Sequence, residues 1–172
     1  MSLSLSTPDA VLNDLKHADV DRRGAAIYRL VQQRTTVSGA TIAVIRLVSD
    51  RNEDVSGWAC EALESSVVPQ AAELGDLIEL LRDSKDGEIQ YWTATMIGRL
   101  GAVGSSATAV LANCLLDSPC LAARERAAWA LSEIGPSARS AINALKQIGP
   151  EDPPRLQRLA ATAIQAVVNR AA

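Results

Sequence analysis

The segment Arg124-Glu-Arg-Ala-Ala-Trp-Ala-Leu-Ser-Glu-Ile-Gly135 has a counterpart earlier in the same chain. The counterpart is Gln90-Tyr-Trp-Thr-Ala-Thr-Met-Ile-Gly-Arg-Leu-Gly101, which begins 34 residues upstream and matches in size and polarity at the interior positions. In both segments apolar residues recur every three or four positions, which is the pattern of an amphipathic α-helix. The same helix is therefore predicted twice.

One leucine-like position of this helix recurs along the whole chain. It falls at Leu30, Leu63, Ile97, Leu131 and Ile164, at intervals of 33 or 34 residues. Such a fixed period is typical of a solenoid, because one helix pair cannot bury its apolar stripe alone and must stack on the next pair. We therefore predict that these five positions are buried in a shared apolar spine.

The composition and the placement of proline agree with a helical fold. The 172 residues are 48% hydrophobic and 22% charged, which is enough apolar material for a core. The seven prolines lie where helical patterns begin or end, and no segment alternates as a β-strand does. The predicted fold is all-α, a right-handed α-solenoid of helix-pair repeats with a period of 33–34 residues. Helices are expected at about 8–18, 20–34, 38–49, 53–66, 69–82, 87–101, 103–116, 120–134, 136–148 and 154–170.

On these segments the chain resembles the HEAT-repeat proteins, and in particular the short HEAT-like repeats of bilin lyase subunits. The resemblance is carried by Leu116-Asp117 followed by Arg124 to Leu131, and by Leu81-Arg-Asp83 followed by Ile89-Gln-Tyr-Trp-Thr-Ala. We expect a disordered leader at 1–7 and a single HEAT-like α-solenoid over 8–170. Its expected parts are an N-terminal helix and capping repeat at 8–52, repeats 2 to 4 at 53–86, 87–119 and 120–152, and a C-terminal capping helix at 153–170.

The resemblance also implies a ladder of ion pairs between repeats. In HEAT repeats an Asp at the end of the second helix of one helix pair forms an ion pair with an Arg at the start of the first helix of the next pair. Asp117 and Arg124 match both positions, whereas the equivalent partners of Asp50 and Asp83 are Ser56 and Gln90, which carry no charge. An Asp117–Arg124 pair within an incomplete ladder is therefore expected.

The second helix of each pair lines the concave side in this family, which implies a candidate recognition surface. Aligned at the same period, Arg46, Glu79, Asn113 and Gln147 form one row. We predict that this concave row binds the partner. The alternative is that the row is only the solvated side of amphipathic helices, and no spacing rule separates the two interpretations.

The five aromatic residues all lie on predicted first helices. Trp58 and Trp92 occupy equivalent positions beside the buried stripe, which predicts that both pack in the core. Tyr28, Tyr91 and Trp129 lie on the side expected to face outward. Exposed aromatic rings dominate the energetics of many interfaces, so Tyr91 and Trp129 are a second candidate partner-binding site, on the convex side. A contact between copies of the chain is the alternative.

Charge is unevenly distributed along the sequence. Residues 53–88 hold ten acidic and two basic residues, whereas residues 16–51 hold seven basic and three acidic ones. Together with a net charge of -3, this argues against a nucleic-acid partner, which would have to cross the acidic segment. It favours a partner protein with a basic segment, the alternative being acidity kept for solubility. The sequence has no run of about 18 consecutive apolar residues, so no membrane span is predicted.

Little in the sequence points to catalysis, a cofactor or a metal. His17 has no second ligand at metal-binding spacing, and there is no P-loop, G-x-S-x-G or G-x-G-x-x-G motif. Cys60, Cys114 and Cys120 are odd in number and form no C-x-x-C, so neither disulfides nor a cysteine zinc site is expected. Cys120 is interpreted as a capping or packing thiol. Free cysteines suit a reducing cytoplasm.

These observations predict a non-enzymatic cytoplasmic scaffold or adaptor that binds another protein. The resemblance leaves a second class open, because HEAT-like folds also serve as bilin lyase subunits and DNA glycosylases, which bind a chromophore or a damaged base. A glycosylase groove is expected to be rich in Lys and Arg, and the mixed composition of the concave row counts against it.

Overall fold

The computed structural model describes residues 8–33 and 39–169 and divides the chain into two compact units. The first unit is Met1–Val68 and the second unit is Pro69–Ala172. Within the described ranges every regular element is a helix, so the all-α prediction is confirmed. The boundary between the units falls inside the segment predicted as repeat 2, and the predicted leader at 1–7 lies outside the described residues.

The described residues of the first unit form four helices. They are α1 (Pro8–Leu15), α2 (Val20–Gln33), α3 (Ala40–Leu47) and α4 (Glu53–Ser65). Helix α2 packs against α1 and α4, and α3 packs against α4 and α1. The largest fully buried side chains of this unit are Leu15, Ile27, Ile45 and Leu63. Each of the four helices thus contributes to, or packs around, one small apolar core.

The second unit arranges its helices in two layers. Its elements are α5 (Leu74–Asp83), α6 (Gly87–Arg99), α7 (Thr108–Asp117), α8 (Leu121–Ile134), α9 (Ile142–Leu145) and α10 (Pro154–Asn169). The first helices α6, α8 and α10 pack side by side in that order. The second helices do the same, because α5 contacts α7 and α7 contacts α9. This stacking of like on like is what the repeating stripe predicts.

Polar caps set the starts of α4 and α6 at equivalent places. Asn52 accepts a hydrogen bond from the Val55 N–H at 3.0 Å, and Asp86 accepts one from the Ile89 N–H at 3.2 Å. Side-chain acceptors at this position satisfy amide groups that the first helical turn leaves unpaired. Cys120 occupies the same position before α8, but its thiol caps no amide. Of the two roles expected for Cys120, capping is therefore wrong, while its side chain packs against α6, where a Cβ atom added at Gly87 would lie 2.8 Å from its Sγ.

A glycine follows each of the helices α6 and α8, and the second helix after it begins as 3₁₀ helix. Gly101 and Gly135 follow α6 and α8 with φ of 56° and 67°, a left-handed conformation that other residues adopt only at a cost. The chain then runs as 3₁₀ helices over Gly101–Ala107 and Gly135–Ala141. The helices expected at 103–116 and 136–148 therefore begin as 3₁₀ helix, and α9 keeps only four α-helical residues.

The predicted spine positions are buried at four of the five places. Leu30, Leu63, Ile97 and Leu131 are each at most 4% exposed, which confirms their assignment to the core. Ile164 is only half-buried, so the prediction is wrong there. The buried residues of α10 are Leu156, Ala160, Ala163 and Val167. Ile164 does not belong to this stripe, so its side chain lies away from the most enclosed side of α10.

Helices α6 and α8 approach each other closely at Gly98. A Cβ atom added there would lie 2.5 Å from Cζ3 of Trp129 and 3.0 Å from the Cα of Ala130. We expect Gly98→Ala to lower the free energy of unfolding by about 1–2 kcal/mol, because overpacking outweighs the higher helix propensity of alanine. Urea unfolding followed by circular dichroism measures the change.

The matched control is Gly75→Ala in the same unit, where an added Cβ has no atom within 4 Å. This variant is expected to be neutral or to gain up to about 1 kcal/mol from helix propensity. Equal stabilisation by both substitutions would contradict the close approach of α6 and α8.

Candidate functional site

The four residues predicted as a concave row are all exposed. Arg46 lies on α3 of the first unit, while Glu79 lies on α5, Asn113 on α7 and Gln147 just beyond α9 of the second unit. Because α5, α7 and α9 pack side by side, the last three residues belong to one layer of the second unit. We refer to these three residues as the second-helix row.

A groove beside Asn113 gives this layer a shape that the sequence alone did not predict. It lies between α5 and α7, has a volume of about 280 Å³, and is called here the α5/α7 groove. Arg82, Lys85, Asn113 and Asp117 line it. None of these four side chains makes a hydrogen bond or ion pair with any residue that the structure describes. Their polar groups are therefore available to a ligand or partner.

Buried hydrogen bonds hold the floor of the α5/α7 groove. Ser118 Oγ donates to Gln90 Oε1 at 2.6 Å, and Gln90 Nε2 donates to the carbonyl oxygen of Ser84 at 2.9 Å. These bonds tie the start of α6 to the loops that follow α5 and α7. A fully paired buried network rigidifies its surroundings, so the groove has a fixed frame.

The thiol of Cys114 also lines the groove but is not a nucleophile. It is 6% exposed, and burial together with the nearby Cys120 raises its pKa to about 12. Only a thiolate attacks an electrophile or binds a metal, and at neutral pH this group stays protonated. Cys114 therefore acts as a packing residue.

In each of α2, α6 and α8, a polar residue near the start of the helix bonds to the segment that follows the second helix of the same pair. Arg23 contacts both carboxylate oxygens of Asp50 at 2.8 and 3.0 Å. Arg124 Nη2 contacts Asp152 Oδ1 at 2.9 Å, and the bond between Gln90 and Ser118 is the uncharged counterpart. We call these contacts the repeat clamps. Each clamp closes one helix pair.

The repeat clamps correct the expected ladder. The predicted Asp117–Arg124 pair is wrong, because Arg124 reaches Asp152 instead and Asp117 is exposed. Neither Arg23 nor Asp50 was predicted from the sequence to form a pair. A signal for them was present, since the clamp position recurs with the period of the chain at Arg23, Ser56, Gln90 and Arg124.

The carboxylates of both charged clamps have depressed pKa values. Burial raises the pKa of Asp50, but the hydrogen bonds and charge of Arg23 and a backbone N–H outweigh it, so the pKa lies below its usual value. The Gly149 N–H and the side chain of Arg124 lower the pKa of Asp152. Both groups therefore favour the ionised form in the folded protein.

Tyr91 and Trp129 are half-buried rather than fully exposed. The Arg126 guanidinium lies 4.9 Å from the centre of the Tyr91 ring and 5.3 Å from that of Trp129, and its Nη2 donates to the Tyr91 hydroxyl at 2.7 Å. The two rings hold an arginine of their own chain. This corrects their expected outward exposure, and the reason is the cation between them.

The two equivalent tryptophans have different environments. Trp92 is 5% exposed and meets Tyr91 edge to face, which confirms that it packs in the core. Trp58 is 46% exposed, so its assignment to the core is wrong. Its ring lies against Gly24 of α2, where the missing side chain leaves room for an indole at the surface.

The sequence of residues 74–167, more than half of the chain, matches the family model for HEAT repeats. The chain belongs to the HEAT-repeat family. No curated protein is significantly similar to this HEAT-repeat protein in sequence. The family assignment confirms the resemblance seen in the sequence and the solenoid class of the fold.

Two solved structures share the fold of this HEAT-repeat protein. The complex of CpcE and CpcF of phycocyanin lyase from Nostoc sp. PCC7120 matches with a TM-score of 0.63 at 21% identity, over 98% of this chain and 69% of that one. A crystal structure of an engineered protein matches with a TM-score of 0.59 at 18% identity, over 95% and 80%. At these identities the likeness concerns the fold.

The remaining candidates for chemistry in this HEAT-repeat protein have structural roles where they are described. His17 Nδ1 accepts a hydrogen bond from the Asp19 N–H at 3.0 Å, which fixes the turn before α2. Among residues 8–33 and 39–169, no group of three or more His, Cys, Asp or Glu side chains is placed to hold a metal ion. In the same ranges, every helix is too short or too polar to cross a bilayer.

Proposed function

We propose that this HEAT-repeat protein is a non-enzymatic scaffold that binds another protein through the second-helix row and the adjoining α5/α7 groove. The observation that carries the proposal is the set of unpaired polar side chains around the groove, held on a frame of buried hydrogen bonds. A preformed surface with unsatisfied polar groups can recognise a partner without losing bonds of its own.

The charge of α5 indicates which kind of partner it would bind. Asp76, Glu79 and Asp83 are exposed on α5, and Arg82 is the one exposed basic residue on that helix. Complementary potentials steer association and fix its register. A partner protein with a basic segment therefore fits the outer side of α5. The cysteines at 60, 114 and 120 form no disulfide with any described residue, which suits the proposed cytoplasmic location.

Reversal of one charge in the second-helix row tests this proposal. We expect Glu79→Lys to weaken binding of the captured partner about tenfold, because the new ammonium repels a basic segment. The measurement is affinity capture from lysate, followed by titration of the purified partner. Glu133→Lys is the matched control, since Glu133 is exposed on the first helix α8.

Indifference of the partner to Glu79→Lys, or equal sensitivity to Glu133→Lys, would remove the second-helix row as the binding surface. The bilin alternative is tested on the same preparation by adding a linear tetrapyrrole and recording its visible spectrum. The scaffold proposal expects an unchanged spectrum, and a saturable shift would favour a bilin-binding protein.

A further inference from the structure

A second groove lies in the first unit between α2 and α4, and it differs in character from the α5/α7 groove. It has a volume of about 340 Å³ and is called here the α2/α4 groove. Tyr28 and Trp58 line it and are 63% and 46% exposed, while the other three aromatic residues of the chain are buried or half-buried. Two large rings are thus presented to solvent in one place.

The position of the Trp58 ring depends on the absence of a side chain at Gly24. A Cβ atom at Gly24 would lie 2.8 Å from Cζ3 of Trp58, so the indole rests directly against α2. The indole N–H and the Tyr28 hydroxyl form no hydrogen bond within the part of the chain that the structure describes. Both rings therefore keep a free polar atom beside an open aromatic surface.

Two carboxylates complete the α2/α4 groove. Asp21 and Asp54 line it, and neither forms an ion pair with a described residue. The arginines next to Asp21 do not neutralise it, because Arg22 is bonded to Asp14 and Arg23 to Asp50. No lysine or arginine is among the described residues that line the groove. Among the described residues that line the groove, the charged side chains are therefore these two carboxylates.

The second unit shows what a tyrosine and a tryptophan hold when a cation is within reach. There the Arg126 guanidinium contacts the rings of Tyr91 and Trp129 and donates to the tyrosine hydroxyl. A guanidinium is attracted to aromatic faces, and a nearby carboxylate adds to this attraction. The α2/α4 groove offers the rings and two carboxylates but lacks the cation among its described lining residues.

We propose that the α2/α4 groove binds an arginine side chain from a basic segment of the partner protein. This inference rests on the proposed scaffold function and adds a second point of contact to it. The guanidinium stacks on the Trp58 indole, and its N–H groups donate to the carboxylates of Asp21 and Asp54. The Tyr28 hydroxyl accepts a further hydrogen bond, as the Tyr91 hydroxyl does from Arg126.

A peptide titration of the full chain tests the arginine site without any knowledge of the partner. The probe is acetyl-Gly-Gly-Arg-Gly-Gly-amide, and its matched control carries citrulline, which has nearly the same shape but no charge. The readout is the indole N–H signal of Trp58 in nitrogen–proton spectra, assigned with a Trp58→Phe variant. The arginine peptide is expected to shift this signal saturably and to leave that of Trp92 in place. Citrulline is expected to bind at least about fivefold more weakly.

Two variants connect the response to the groove. Asp54→Asn is expected to weaken arginine binding about threefold and leaves the fold intact, because its side chain is exposed. Trp58→Leu is expected to weaken it at least about fivefold, with circular dichroism as the check on folding. Glu133→Gln, at an exposed carboxylate on α8 outside both proposed binding surfaces, is the control and should change nothing.

Three results would overturn the arginine site. One is a Trp58 signal that does not respond to the peptide. Another is equal binding of the citrulline peptide, which would indicate an apolar site. The third is a shift of the Trp58 signal with protein concentration alone, which would assign the groove to a second copy of this chain.

The outcome is separable from that of the proposed function. If the Trp58 signal does not respond to the arginine peptide while Glu79→Lys still weakens binding of the partner, the arginine site is wrong and the scaffold proposal stands. If the Trp58 signal responds to the arginine peptide while Glu79→Lys leaves binding of the partner unchanged, the arginine site stands and the second-helix row is wrong as the binding surface.

Discussion

Asp50→Ala is expected to lower the free energy of unfolding of the first unit by about 2–3 kcal/mol. The Asp50 and Arg23 side chains are 8% and 16% exposed, and they meet through two hydrogen bonds at 2.8 and 3.0 Å. Removal of the carboxylate leaves the guanidinium enclosed without its counter-charge. Arg23 keeps its bonds to the carbonyl oxygens of His17 and Ala18, which limits the loss.

The Asp50 contribution depends on pH in a definite direction. The pKa of Asp50 is lower in the folded protein than in the unfolded chain. The contribution of Asp50 to stability is therefore complete above its pKa in the unfolded chain, about 4, and is lost as the pH falls through its pKa in the folded protein. The difference in stability between wild type and Asp50→Ala should be constant from about pH 5 to 7 and should shrink at lower pH.

Hydrogen exchange of the α2 and α4 amides measures this effect within the first unit, and urea unfolding supports it. Asp83→Ala is the matched control, because Asp83 occupies the equivalent position one repeat later and is exposed without an ion pair to any described residue. Its expected effect is within about 0.5 kcal/mol. A loss for Asp50→Ala as small as that of the control would contradict a stabilising clamp.

The helices and their period could be predicted because both depend on local sequence. Capping residues and apolar stripes act within one or two turns, and their recurrence fixed the register of Leu63, Ile97 and Leu131. The Arg23–Asp50 clamp was missed because it joins residues 27 positions apart. The period marks the position of Arg23, but it does not reveal which residue the side chain reaches across the helix pair.

The errors at the aromatic residues have a similar origin. Trp58 and Trp92 share a register position, and register predicts the direction in which a side chain points but not the neighbours it meets. Gly24 leaves the Trp58 indole at the surface. Trp129 was expected to be free, but Arg126, only three residues before it on the same helix, covers its ring.

The candidate site was predicted only in outline. Exposure of the second-helix row follows from the amphipathic pattern, and the structure agrees with it at all positions. The α5/α7 groove is different, because Lys85, Ser118 and Pro119 contribute to it from loops. Loop conformation is set by specific bonds such as that between Gln90 and Ser118, and a periodic pattern contains no information about them.

Leu131→Ala and Ile164→Ala are expected to differ strongly in effect, although the two residues occupy equivalent positions one period apart. Leu131 is fully buried on α8, which packs against α6, α7 and α10. Its truncation should lower the free energy of unfolding by about 3–4 kcal/mol, through lost burial and a cavity that rigid neighbours cannot fill. Ile164 is half-buried on α10, so its truncation should cost roughly 1 kcal/mol.

Urea unfolding of both variants, with hydrogen exchange of the α8 and α10 amides, measures the difference within the second unit. Ala163→Gly is a control for α10, since Ala163 belongs to the buried stripe and the change should cost about 1 kcal/mol in helix propensity. Equal losses at Leu131 and Ile164 would mean that α10 buries its spine position as fully as α8 does. A large loss at Leu131 alone would show that the enclosure of a position by neighbouring helices, rather than its place in the repeat, determines its contribution to stability.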